Sequence, residues 1–118
     1  MATAPYVVLL DNVSTKVIKW TITSANPDGA PYPFAGNYPD KSVHAFGTWG
    51  AGGSLKLQGS NEVVAAPTNW YNLTDPQANE IALVADKIEQ VLENANQVRP
   101  YLSAGTGVTL TVILLLHA

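Results

Sequence analysis

Apolar and polar residues alternate along much of this chain with a period of two, the spacing of a half-buried β-strand. Between Val13 and Thr23 the apolar residues Ile18, Trp20 and Ile22 are separated by Lys19, Thr21 and Thr23. Val43, Ala45, Gly47 and Trp49 alternate with Ser42, His44, Phe46 and Thr48. After Gly50-Ala51-Gly52-Gly53 the alternation resumes over Ser54–Gln58, so these two runs are expected to form a β-hairpin around a glycine turn. The clearest strand signal is Val108–Leu116. Its even positions, Val108, Leu110, Val112, Leu114 and Leu116, are all apolar and should face a core. Its odd positions begin with Thr109 and Thr111 and end with Ile113 and Leu115, which places two apolar side chains on the outward face.

Turn chemistry separates these runs. In Asn26-Pro27-Asp28-Gly29 the proline fixes φ, the Asx side chains bond their own backbone, and glycine admits positive φ. Gly105-Thr106-Gly107 is expected to be a second hairpin connection. Ala30–Asp40 interleaves Pro31, Pro33 and Pro39 with Tyr32, Phe34 and Tyr38, a composition that suits an ordered, aromatic-pinned loop rather than a polar linker. Two segments break the period. Tyr6–Leu10 is apolar without alternation and needs cover on both faces, which suggests an N-terminal arm over residues 1–12 that reaches a neighbour. Its removal, deleting residues 1–10, is expected to leave a folded domain. Between Asn79 and Asn96, Leu83, Val84, Lys87, Ile88, Val91 and Leu92 fit a helical stripe, while the surrounding strands favour β. The pattern as a whole predicts a single all-β domain over residues 1–118. It is an antiparallel, jelly-roll-like β-sandwich with a Pro-rich aromatic loop and at most one short helix near residues 80–94.

Composition narrows the function classes. The 118 residues contain no cysteine, which removes a disulfide scaffold, a thiolate metal site and a cysteine nucleophile. Charged residues are only 13%, about half the usual share. The six cationic residues are scattered in a chain of formal net charge −3, so no basic stripe for nucleic acid is present. Met1–Pro5 lacks the basic start of a signal peptide, and Val108–Leu116 is far too short to cross a bilayer, so no membrane partner is expected.

Candidate chemistry is sparse. His44 lies in a strand pattern and His117 near the end, and no Gly-x-Ser-x-Gly, His-Glu-x-x-His or P-loop motif occurs. Asp75, Glu80, Asp86, Glu89 and Glu93 fit turns and solvated faces, and Asp75–Glu80 lacks the spacing and glycine of an EF-hand. No catalytic residue, metal or cofactor is therefore expected. Aromatics offer one alternative: Trp49, Trp70 and Tyr71 on a sandwich would make a platform for sugar rings, against the simpler reading that Trp20, Trp49 and Trp70 fill the core.

The second half of the chain resembles small β-sandwich proteins of tailed bacteriophages. The resemblance runs through Gly47-Thr48-Trp49-Gly50, Leu55–Asn61, Asn69–Asp75, Ile88–Glu93, Val98–Leu102 and Gly105–Val112, covering about residues 43 to 116. Within that group it is most similar to the capsid cement, or decoration, proteins. It departs from them in Gly105-Thr106-Gly107, where an aspartate is often found, and in Leu116-His117-Ala118, where basic residues are common. The resemblance implies a structural protein of the virion, made in the host cytoplasm and placed on the capsid surface. It would bind the major capsid protein as a dimer or trimer and brace the shell against internal DNA pressure. A low-charge chain leaves apolar surface for such contacts. The residues expected at an oligomer or capsid interface are Tyr6, Val8 and Leu10, then Tyr32, Phe34 and Tyr38, and finally Ile113 and Leu115. The alternative function is a carbohydrate-binding sandwich module of a phage tail or adhesin.

Overall fold

The computed structural model describes residues 3–118. Eleven strands form two sheets. They are β1 (Thr3–Ala4), β2 (Tyr6–Asp11), β3 (Thr15–Thr23), β4 (Asp28–Gly29), β5 (Asp40–Thr48), β6 (Ala51–Ser60), β7 (Tyr71–Asn72), β8 (Ala82–Leu83), β9 (Lys87–Val91), β10 (Gln97–Thr106) and β11 (Thr109–His117). One sheet runs β2-β3-β11-β5-β9; the other runs β1-β4-β10-β6-β7, with β8 also on β6. The chain is an all-β sandwich of the jelly-roll kind, as the alternation predicts.

The core lies where the periods place it. Ile18, Trp20 and Ile22 of β3 and Leu110, Val112, Leu114 and Leu116 of β11 are fully buried and meet Leu55, Leu57, Val98 and Leu102 of the facing sheet. The Trp20 indole N–H donates to the Ala30 carbonyl at 2.9 Å, satisfying the one polar atom that so large a side chain brings inside. The Pro-rich loop is ordered through Tyr32, which bridges to Val98, and through a 3₁₀ turn at Ala35–Asn37.

Two expectations are corrected, the glycine hairpins and the N-terminal arm, while the ambiguous segment 80–94 resolves as strand. Neither glycine turn closes a hairpin: β5 and β6 belong to different sheets, and so do β10 and β11. The glycines make corners instead. Gly47 (φ 138°) and Gly50 (φ 60°) have positive φ, which other residues rarely adopt, and a Cβ on Gly50 would collide with the Thr106 carbonyl of the neighbouring corner. The two corners pack against each other, which leaves no room for a side chain at Gly50, Gly53 or Gly105. The segment 80–94 holds no helix. Leu83 and Val91 turn inward while Val84, Ile88 and Leu92 stay exposed, because β9 pairs along β5 as an edge strand and tertiary pairing overrides helical propensity.

The N-terminal segment is not an arm. Residues 1 and 2 lie outside the described residues, but β1 pairs with β4 in one sheet and β2 pairs with β3 in the other. Ala4 is fully buried and the Tyr6 ring packs edge-on to Trp20 at 6.3 Å, so this segment ties the two sheets together. Deleting residues 1–10 should therefore unfold the domain or lower its Tm sharply, measured by circular dichroism melting.

Lys41 was unforeseen. It occupies an inward position of β5, in step with Val43 and Ala45, and is 1% exposed. Its ammonium donates to the Asn94 side-chain oxygen, and burial holds its pKa down, to about 8. Because the unfolded chain keeps the ordinary value near 10.5, it binds more protons than the folded protein between these values, and stability rises with pH across that window. Burial raises the Tyr32 pKa, which opposes the rise only above the ordinary tyrosine value of 10.0. Denaturant titrations should show a gain of about 2 kcal/mol from pH 8 to 10. Lys41→Met should abolish that slope and be more stable than wild type at pH 7.

Candidate functional site

The outward face of the five-stranded sheet is assembled by register. Ile113 lies opposite Lys19 of β3 and His44 of β5; Lys19 in turn faces Val7 of β2, and His44 faces Ile88 of β9. One row thus crosses all five strands as Val7–Lys19–Ile113–His44–Ile88. The next row reads Leu10–Val17–Leu115–Ser42–Gln90, and on the other side lies Thr21–Thr111–Phe46. These positions alternate with the buried ones, so they point away from the core.

Val7, Leu10, Leu115 and Ile88 are exposed, while Val17, Phe46 and Ile113 are half-buried among their neighbours. The three rows carry one lysine, one histidine and no carboxylate, although the chain as a whole is acidic. At about 4.8 Å per strand and ~6.8 Å per row, the 13 positions cover roughly 420 Å², and seven of them are apolar. Apolar side chains grouped on one face in this way commonly mark a contact surface.

The β2 edge extends this surface. Val7, Val8, Leu9 and Leu10 are 44–52% exposed, and a register shift between Val8 and Leu10 turns the strand at the Leu9 position. A long apolar edge strand invites pairing with another chain unless something covers it. Behind the edge lies a cleft of about 330 Å³ lined by Tyr6, Val8, Tyr32, Phe34 and Tyr38, with Asp11, Lys16 and Asn37 at its rim. Its aromatic walls meet edge to face: Tyr6 and Tyr32 at 5.5 Å, Tyr32 and Phe34 at 5.9 Å. Tyr32 and Tyr38 are buried and shape the wall; Phe34 is exposed and presents its ring outward.

The eight residues singled out in the sequence therefore fall into two adjoining groups. Tyr6, Val8, Tyr32, Phe34 and Tyr38 line the cleft, whereas Leu10, Ile113 and Leu115 stand on the sheet face. The residues missed are Val7, Val17, Phe46 and Ile88. Val17 carries a legible signal, an apolar residue among the outward polar set of β3, but Phe46 and Ile88 join the patch only through strand pairing.

The opposite sheet presents another kind of surface. Arg99 donates from Nε and Nη2 to the Gln58 side-chain oxygen at 3.1 and 2.9 Å, with its guanidinium 4.3 Å over Trp70 and 5.7 Å from Tyr101. Gln58 donates to Asn72, Asn72 to Glu80, and Glu80 pairs with Lys56. Polar groups here are paired with one another in water. One side of the sandwich is self-satisfied and the other is bare.

The tryptophans form no common platform. Trp20 is in the core; Trp49 donates its indole N–H to Asp86 at 2.8 Å beside Gly53; Trp70 donates to the Pro67 carbonyl at 2.9 Å and stacks on Arg99 beside Gln58. Gly53 and Gln58 stand roughly 17 Å apart along β6. Among the described residues no three of His, Asp and Glu come together to hold a metal ion.

No family model matches the chain, and no curated protein does. Among solved structures it is similar to a cupin domain from Bordetella pertussis Tohama I, with 13% identity, a TM-score of 0.54, and coverage of 99% of this chain and 95% of that one. That likeness is one of fold.

The bare face makes a direct prediction. Ile113→Asp combined with Leu115→Lys replaces one half-buried and one exposed outward side chain and leaves the core intact, so the domain should stay folded with a loss of about 1–3 kcal/mol in urea titrations. Binding of the dye ANS, which reports apolar surface, should fall several-fold.

Proposed function

We propose that this chain is a structural protein of a phage virion, a capsid cement or decoration protein that binds the major capsid protein lattice. In this reading the outward face of the β2-β3-β11-β5-β9 sheet, with the aromatic cleft at its edge, is the contact surface. The observation that carries the reading is the asymmetry between the two outer faces: one has its polar groups networked, the other offers three rows without a carboxylate. The resemblance of residues 43 to 116 to cement proteins supports the same role. The work is mechanical and requires no catalysis: apolar area buried at the joints of the shell opposes outward pressure. Burying the part of Ile113 and Leu115 that the free domain leaves exposed contributes about 1 kcal/mol each, and a symmetric homo-oligomer on a symmetric lattice repeats the gain at every site.

The test mixes purified protein with capsids that lack it. Wild type should sediment with the shells at saturating stoichiometry and raise the temperature at which they release DNA. The Ile113→Asp, Leu115→Lys variant should do neither. Wild type that stays in the supernatant would overturn the proposal.

A further inference from the structure

A second concave surface lies on the other side of the molecule, away from the bare sheet face. A groove of about 710 Å³ runs between the end of β6 (Gly59–Glu62), the strand β7 with its approach (Asn69–Leu73), and the segment Glu93–Ala95. Its volume is in the range of small-molecule sites. Leu73 and Ala95 are buried and contribute to an apolar floor. Tyr71 stands at the wall, 71% exposed, on a strand of two residues that leaves its ring uncovered.

The polar groups at the rim are fixed in place. Glu62 accepts through Oε1 from the backbone N–H groups of Thr68 at 2.9 Å and Asn69 at 2.7 Å, and these bonds, that from Asn69 foremost, hold its carboxyl below its ordinary pKa. The Ser60 hydroxyl also donates to Oε1 at 3.5 Å, and the Asn69 side chain adds a further hydrogen bond to the carboxylate. Asn61 accepts from the Asn96 N–H at 2.9 Å through Oδ1, which orients its carboxamide and leaves both N–H groups of Nδ2 unused. Glu93 is held by the backbone N–H of Thr74 at 2.7 Å. The groove thus offers an aromatic plate, an oriented donor and an ionised acceptor.

We propose that this groove binds a neutral saccharide. A sugar ring has an apolar C–H face, which would lie on Tyr71. Its edge of hydroxyls both donates and accepts, as the Glu62 carboxylate and Asn61 Nδ2 require. No lysine or arginine lines the groove, and two carboxylates do, which disfavours phosphates, nucleotides and acidic sugars. The site shares no residue with the proposed shell-binding face, so each reading stands or fails alone.

Saturation-transfer NMR tests it on the intact protein, with maltose, cellobiose, lactose and N,N′-diacetylchitobiose at millimolar concentration as probes. At least one should receive saturation at its ring protons. Tyr71→Ala should weaken that binding by roughly fivefold, the scale of one aromatic stacking contact, without changing Tm. Tyr71→Phe, which keeps the plate, should retain it. Absence of transfer to all four sugars would overturn the proposal, as would binding that Tyr71→Ala leaves unchanged. A trimethyllysine peptide that binds where none of the sugars does would also overturn it and assign the groove to a cation.

Discussion

The five-stranded sheet depends on the pairing of β11 with both its neighbours. All nine residues from Thr109 to His117 are in register with β3 on one side and with β5 on the other. A slip of one residue would send Ile113 and Leu115 into the core and Leu114 and Leu116 into water. Four residues that face inward at almost no exposure make that exchange expensive, so the inward set fixes the outward set. The bare rows are therefore a by-product of geometry in position but not in composition. Nothing about the core requires Ile at 113 or Leu at 115.

Strand existence and facing were legible in the sequence wherever one strand alternates cleanly. Ile18, Trp20 and Ile22 turn inward as their spacing implies, and so do the even positions of β11. What the spacing does not carry is which strand lies beside which. A pair of glycines between two alternating runs looks the same whether the chain folds back within a sheet or passes to the other one, because both need positive φ. Only the close approach of Gly50 to Thr106, a contact between residues far apart in the chain, distinguishes the corner from the hairpin. The candidate site follows the same division. Ile113 and Leu115 were visible as an irregularity within one strand, whereas Phe46 and Ile88 became part of the patch through pairing across β5. Lys41 was hidden for the opposite reason, since a cation at an inward position breaks the pattern by which inward positions are recognised.

Low charge bears on both outer faces. With few ionised side chains to distribute, the protein gathers several of them on the six-stranded sheet and in the loops above it. There Arg99, Gln58, Asn72, Glu80 and Lys56 satisfy one another. The five-stranded sheet is left with Lys19 and His44 across its three central rows. Such a division makes the molecule two-sided without a second domain.

The position of β11 in the chain order also governs how the protein is made. Thr15 pairs with His117 and Asp40 with that same residue, so the middle strand of the sheet is the last of its strands to be synthesised. Until it arrives, β3 and β5 have no partner between them, and each presents an unpaired backbone edge flanked by apolar side chains. Pairing over so great a sequence separation is slow. Between the synthesis of β5 and that of β11 the nascent chain therefore carries two unfinished edges, and the step that completes the sheet is the same one that removes them.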